Sequence, residues 1–182
     1  MSNSPDRRVP STEQLRRIRC LLTDVDGVLT DGRIHLNEAG EESKIFHVHD
    51  AAGLVYWHRA GGMSGFVSGR LGKMVEKRAR DLNVTEVHLG KLDKLPVLED
   101  ILGRHEMLAE EVAYVGDDLV DLPVLAAVGF AVTVPNARRE VHERVHYITE
   151  THGGDGALRE VVEILLKAQG KWDDLVQRGG RP

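Results

Sequence analysis

Apolar residues in this chain come in short runs, each closed by small or acidic residues and separated by longer stretches of helical spacing. Ile18 to Thr23 (IRCLLT), Met63 to Val67, Glu86 to Leu89, Glu111 to Val115 and Phe130 to Val134 have the length and flanks of buried strands. Between and after them, Asp50 to Ala60, Leu71 to Leu82, Asp93 to His105, Leu119 to Val128 and Ala157 to Ala168 carry helical periodicity. Asp50 suits an N-cap, Pro96 falls in a first turn where proline is tolerated, and Ser11-Thr12-Glu13 can cap a short helix. From Gly32 the pattern changes: RIHLN, EAGEE and SKIFHV read as a β-hairpin with a polar turn, launched by Asp31-Gly32. Alternation of this kind predicts an α/β fold, a Rossmann-like parallel sheet flanked by helices and carrying a hairpin insertion. The expected boundaries are a loose leader over residues 1–10, one domain over 11–170 and a polar tail over 171–182.

Composition narrows the class without changing the fold. Hydrophobic residues at 41% and charged residues at 29% of 182 residues suit a single soluble domain. A net charge of −5 lacks the basic footprint of a nucleic-acid partner. No stretch approaches the roughly 18 apolar residues of a membrane span. The opening MSNSPDRRVPS has no apolar segment of a secretory signal. The one cysteine, Cys20, excludes an internal disulfide and points to a reducing cytoplasm.

The chemistry sits where the predicted strands end. Asp24 and Asp26 close the first, Ser68-Gly69-Arg70 the second, and Gly116-Asp117-Asp118 the fourth. Ligands of open α/β sheets bind at these carboxyl ends, so the topology gathers the three stretches into one cleft. Crowded carboxylates repel one another, and Gly27 allows a turn that separates Asp24 from Asp26. Hard oxygen donors, with no cysteine and no paired histidines, suit Mg²⁺, which also offsets the repulsion. Phosphoryl transfer to a carboxylate further needs donors on the phosphoryl oxygens, which Ser68, the Gly69 amide and Lys94 can supply. Taken singly, an Asp-x-Asp is a solvated turn, Ser68 a turn residue and Lys94 a surface lysine; their order along the chain favours the site. His47 and His49 alternate on an extended segment and read as pocket or subunit-contact residues rather than a zinc pair. His142 and His146 read as surface, and Tyr56 and Trp57 as core or interface packing.

DVDGVLTDG, FVSGR, the lysine of KLDKLPVLE and VAYVGDDLVDLPVL resemble the four ordered motifs of the haloacid dehalogenase superfamily of phosphatases, a likeness running from Arg19 to Gly170. The resemblance implies a haloacid dehalogenase-like fold with Asp24 as a nucleophile forming an aspartyl-phosphate. It implies Asp26 as general acid and then general base, and Mg²⁺ held by Asp24, the Asp26 backbone carbonyl and Asp117. Asp118 and Asp121 would orient the metal's waters and Lys94. The chain has no room for a cap domain, only the hairpin near residues 33–46. That looks like the capless sugar-acid phosphatase branch containing the 3-deoxy-D-manno-octulosonate 8-phosphate (KDO 8-phosphate) phosphatases. VLTDGRI and GGDGALREVVEILLKAQGKWD support the same branch. Its members imply a homotetramer in which the neighbouring subunit covers each site, a phosphorylated sugar acid as substrate, and a place in lipopolysaccharide precursor synthesis.

The substrate-facing positions implied are His47, Val48, His49, Asp50 and Ala51, together with Ser68, Gly69, Arg70, Arg78, Lys94 and Asp26. Here the chain departs from its branch. Where F-N-V-R-D-G-x-G-I-R is usual it reads FHVHDAAGLV, so His49 and Val55 replace guanidiniums suited to a carboxylate. Phosphatases of nine-carbon sugar acid 9-phosphates share the D-x-A-G reading but carry glutamate where Arg70 stands. Arg70 and the tail favour the octulosonate. Two other classes share the α/β pattern. A non-catalytic oligomerisation module would not need every catalytic position filled. A response-regulator receiver would carry its aspartate at the end of the third strand, where this chain has His88-Leu89-Gly90.

Overall fold

The computed structural model describes residues 9–181. The leader expected over residues 1–10 lies outside them except for Val9 and Pro10. The strands are β1 (Cys20–Thr23), β2 (His35–Leu36), β3 (Glu42–Ser43), β4 (Met63–Ser68), β5 (Glu86–Leu89), β6 (Val112–Val115), β7 (Phe130–Thr133) and β8 (Tyr147–Ile148). The helices are α1 (Thr12–Arg16), α2 (Val48–Arg59), α3 (Lys73–Asp81), α4 (Leu95–Arg104), α5 (Leu122–Ala127), α6 (Arg139–His142), α7 (Ala157–Ala168) and α8 (Trp172–Gln177). Six strands form one parallel sheet in the order β5-β4-β1-β6-β7-β8, and β2 and β3 pair antiparallel as the expected hairpin.

Both faces of the sheet are covered, which is why the central strands read as unbroken apolar runs. Leu21, Ala113, Val115, Phe130 and Val132 pack with α1, α2, α3 and α7 on one side. Cys20, Leu22, Val112, Tyr114 and Ala131 face α4, α5 and α6 on the other. Among the described residues, the segment between β1 and α2 holds only the hairpin, so no cap domain stands over the sheet.

Several expectations change at element ends. Asp50 is not the N-cap of α2; His47 is, its Nδ1 accepting from the His49 amide at 3.2 Å, and Asp50 turns inward in the first turn. Leu119–Asp121 form a 3-10 turn ahead of α5, because Asp118 caps that turn through the Leu119 amide. Segments read as connections hold α6 and the two-residue β8, too short to show a period. The segment read as a polar tail contains α8, whose Trp172 and Leu175 pack on the core. His142 and His146 are half-buried rather than on the surface, each hydrogen-bonded to the main chain at β7: His142 Nε2 with the Val134 carbonyl at 2.9 Å, His146 Nδ1 with the Ala131 amide at 3.0 Å. Ser11 caps α1 reciprocally with Gln14, and Trp57 is buried with its indole N–H on the Met63 carbonyl at 2.7 Å, both as the sequence suggests.

Candidate active site

Strand order reverses at β1: β4 and β5 lie on one side, β6, β7 and β8 on the other. Connections leaving β1 and β6 diverge, and the loops after those two strands line the crevice that opens between them. Asp24 directly succeeds β1 and Asp117 lies just past β6. Asp24, Asp117 and Asp121 bring one carboxylate oxygen each within 4.8 Å of one another. Gly27 makes the approach possible: its φ is +94°, and a Cβ there would lie 2.1 Å from Asp117 Oδ2. Asn136 fixes this loop, its amide nitrogen donating to the Gly27 carbonyl at 2.8 Å and its Oδ1 accepting from the Gly153 amide at 2.7 Å.

Asp121 is wholly buried and organises the cluster. Its Oδ1 accepts from Lys94 Nζ at 2.6 Å and from the Tyr114 hydroxyl at 2.6 Å. Its Oδ2 accepts from the amides of Asp117 at 3.0 Å and Asp118 at 3.1 Å. Those bonds occupy both oxygens, so its role is to hold others in place. Lys94 at the start of α4 is also wholly buried; its ammonium lies 3.1 Å from Asp24 Oδ1, which accepts the Val25 amide at 2.7 Å as well.

The electrostatics show a deficit of positive charge. Burial pushes the Asp24 carboxyl up to about 6 against the pull of Lys94. Burial, with the charges of Asp24, Asp121 and Asp118 adding to it, pushes Asp117 up to about 8. Burial works against the Lys94 ammonium, but Asp24 and Asp121 outweigh it and hold its pKa above the ordinary value. Asp117 Oδ1 is buried with no hydrogen-bond partner among the described residues. Asp24 and Asp117, the latter with an orphaned oxygen, offer hard-oxygen donors that fit a divalent cation such as Mg²⁺, with Asp121 close behind them.

Beside this cluster stands a second network that joins Asp26 and Arg70, both expected at the site, to Lys44 and Glu42, which sequence reasoning missed. Lys44, just past β3, has a side chain 3% exposed, and its ammonium is bonded to Asp26 Oδ1 and lies 3.2 Å from Glu42 Oε1. Arg70 Nη2 donates to Glu42 Oε2 at 2.6 Å, while Nη1 lies 3.7 Å from Asp26 Oδ1. Asp26 Oδ2 is buried without a hydrogen-bond partner among the described residues. Glu42 and Lys44 are two apart on an extended segment and share a face, a pairing signal present in EESK.

Ser68 ends β4 with its Oγ accepting the Arg70 amide at 3.1 Å, which leaves the hydroxyl proton free to donate. Gly69 keeps the loop close: a Cβ there would meet Leu92 at 3.0 Å. The remaining expected substrate positions gather elsewhere. His47, Asp50, Ala51 and Arg78 line a small cavity with Leu29, Phe46, Leu54, Phe66 and Leu82, to which no member of the aspartate cluster contributes. Asp50 Oδ1 accepts the Arg159 amide at 3.0 Å, and burial pushes its carboxyl up to about 6. Arg78 stacks over Phe46, His47 meets His49 edge to face, and Val48 is exposed. Asp118 caps its own turn at the mouth of the cluster.

A haloacid dehalogenase-like hydrolase profile matches residues 68–161, and the chain belongs to that family. Within it, the chain is similar to the 3-deoxy-D-manno-octulosonate 8-phosphate phosphatases. It is 43% identical over 157 residues to KdsC of Escherichia coli K12, spanning 86% of this chain and 84% of that one. Against KdsC of Haemophilus influenzae it is 41% identical over 159 residues, 87% and 88% of the two chains. The crystal structure of the Moraxella catarrhalis enzyme in complex with magnesium, phosphate and KDO superposes with a TM-score of 0.90 at 36% identity, covering 92% of this chain and 97% of that one.

Proposed function

We propose that this protein is a Mg²⁺-dependent phosphatase that hydrolyses 3-deoxy-D-manno-octulosonate 8-phosphate to the sugar acid and phosphate. The observation that carries the reading is the strand-end cluster of Asp24, Asp117 and Asp121 around the buried Lys94. Likeness to the E. coli and M. catarrhalis phosphatases supports the substrate.

Asp24 attacks phosphorus through the oxygen that Lys94 and the Val25 amide leave free. As the new P–O bond forms, the ester P–O bond breaks and Asp26 delivers a proton to the departing sugar oxygen. A water molecule then adds to phosphorus of the aspartyl-phosphate; Asp26 takes its proton, and phosphate leaves with Asp24 restored. Lys94, the Ser68 hydroxyl and the Gly69 amide hold the phosphoryl oxygens, and Asp121 keeps Lys94 and the Asp117 and Asp118 amides in place. Mg²⁺, held by Asp24, Asp117 and the Asp26 backbone carbonyl, offsets negative charge on the transferring group. The sugar acid lies toward Arg70, while His47, Asp50, Ala51 and Arg78 line their own small cavity apart from the aspartate cluster.

Phosphate release with Mg²⁺ from the octulosonate 8-phosphate, a nine-carbon sugar acid 9-phosphate and hexose phosphates tests this reading. The octulosonate is expected to have the highest kcat/KM, with activity abolished reversibly by chelation and about 10⁴-fold or more lower in Asp24→Asn. Turnover by Asp24→Asn at the wild-type rate would overturn it.

The reading includes a homotetramer in a reducing cytoplasm. Its support is a rim of exposed apolar side chains at the carboxyl end of the sheet: Ile34, Leu36 and Ile45 on the hairpin, with Leu71 and Leu92 beyond β4 and β5. Among the described residues no helix is long and apolar enough to cross a membrane. Light scattering is expected to give a tetramer for the wild type and smaller, less active species for the Leu36→Glu, Ile45→Glu double variant.

A further inference from the structure

The hairpin carries a lysine that nothing in the reaction above uses, and its environment is unusual for a lysine on a short loop. Lys44 leaves 3% of its side chain exposed, although the hairpin it succeeds has two-residue strands and no helix over it. Burying an ammonium demands acceptors, and two are present: Asp26 Oδ1 and Glu42 Oε1. Glu42 in turn holds Arg70 at 2.6 Å, and Arg70 faces the same Asp26 oxygen at 3.7 Å. Both cations are therefore directed at Oδ1, while Oδ2 stays without a hydrogen-bond partner among the described residues.

A carboxyl group that shuttles a proton must present the correct oxygen to the leaving group at each step. Left alone, the Asp26 side chain rotates about its last torsion and exchanges its two oxygens, because that torsion is broad. Lys44 removes the ambiguity by engaging Oδ1, and Glu42 prevents Lys44 from swinging out to solvent.

We propose that Lys44, anchored by Glu42, is a positioning residue that holds Asp26 so that Oδ2 alone exchanges the proton with the leaving oxygen and then with the attacking water. In the first half-reaction the proton on Oδ2 passes to the sugar oxygen as its bond to phosphorus breaks. In the second, the proton of the attacking water passes to Oδ2 as its oxygen bonds to phosphorus. Lys44 neither gains nor loses a proton; it fixes which oxygen serves. The inference rests on the phosphatase reading of Asp24 and Asp26, and it adds a residue on the hairpin, outside the strand-end motifs.

Leaving groups separate this role from a structural one. A sugar alkoxide needs a proton to depart, whereas 4-nitrophenolate does not, so the first half-reaction on 4-nitrophenyl phosphate is independent of Asp26 placement. Hydrolysis of the aspartyl-phosphate needs Asp26 with either substrate. For Lys44→Met, kcat on the octulosonate 8-phosphate is expected to fall about 10²- to 10³-fold with KM changed by less than about threefold. Rapid mixing of the variant with 4-nitrophenyl phosphate is expected to show a burst of nitrophenolate close to one equivalent per site, then slow turnover. Glu42→Gln keeps the ammonium but loosens it, and the same pattern at about 10-fold amplitude is expected; it carries the test if Lys44→Met fails to fold. Loss of the burst together with turnover, an effect confined to KM, or wild-type kinetics in a folded variant would each overturn the proposal. A wild-type protein that hydrolyses neither substrate would instead overturn the phosphatase reading, so the two failures are distinct.

Discussion

Lys94 and Lys44 both bury an ammonium against a strand-end aspartate, yet the structure supports the two pairs in opposite ways. Lys94 is closed in by Asp121 and Tyr114, both wholly buried, on elements packed within the sheet core. Lys44 is held by Glu42 and neighboured by Arg70, whose side chains are 25% and 41% exposed, on a hairpin of two-residue strands. Charges in the first network have no solvent to fall back on, so each partner is fixed and its removal leaves another buried charge unpaired. In the second, Glu42 and Arg70 reach the rim, where water screens them and a substrate's own anionic groups can take a partner's place, while the Lys44 ammonium stays buried against Asp26. The site thus divides into a wholly buried half that holds the phosphoryl group and a half with an exposed edge, where Lys44 keeps Asp26 in place and Glu42 and Arg70 face the sugar.

Removing a partner from each half sharpens that division. Asp121→Ala leaves the Tyr114 hydroxyl and two amides without their acceptor and leaves Lys94 with Asp24 as its one remaining carboxylate. It is expected to cost about 3–5 kcal/mol in denaturant unfolding and to reduce turnover severely. Comparable stability in variant and wild type would show the first network to be less rigid than described. Arg70→Met removes a half-exposed guanidinium from the second. It is expected to change stability by less than about 1 kcal/mol and to raise KM for the sugar acid phosphate about 10-fold or more, with kcat little altered. A fall in kcat with KM unchanged would move Arg70 into the phosphoryl half.

The smallest effect on turnover is expected far from both halves, at the edge strand β5. Glu86 accepts both guanidinium nitrogens of Arg104 at 2.7 and 2.8 Å, with His105 at 2.7 Å and His88 at 2.8 Å. The bonds from Arg104 and then from both histidines hold its carboxyl at about 2, against burial that pushes it up. A carboxylate lowered on folding stabilises the protein above its unfolded value, near 4.5, and loses that contribution as pH falls toward 2. Thermal unfolding between pH 5 and pH 2 is expected to drop more steeply in the wild type than in Glu86→Gln, while kcat near neutral pH is the same in both.

The same contrast explains how far each half is legible in the sequence. Asp24, Asp26, Asp117 and Lys94 can be located because strand ends, turn glycines and a helix start are local signals, and the topology brings them together. Tyr114 cannot, since a tyrosine inside VAYV reads as core and only the fold turns its hydroxyl onto Asp121. Lys44 and Glu42 escape notice because their partners, Asp26 and Arg70, lie 18 and 28 residues away, and a hairpin's docking is not written in its own alternation. Asp50 reads as a cap for a related reason: its acceptor role is claimed by the Arg159 amide, 109 positions along the chain. The short helix in WDDLVQ is hidden because its polar sequence gains order from Trp172 stacking on Arg159, 5.2 Å from the ring centre.

The clasp made by Asn136 bears on when this protein acquires its chemistry during synthesis. The Gly27 carbonyl and the Asn136 amide that holds it are 109 residues apart, and Gly153, which locks Asn136 in turn, comes 17 residues later. The loop bearing Asp24 and Asp26 leaves the ribosome early, yet its shape is completed only when most of the chain has been made. A nascent or truncated chain ending before Asn136 would carry both aspartates and their lysines, but on a loop still without its clasp.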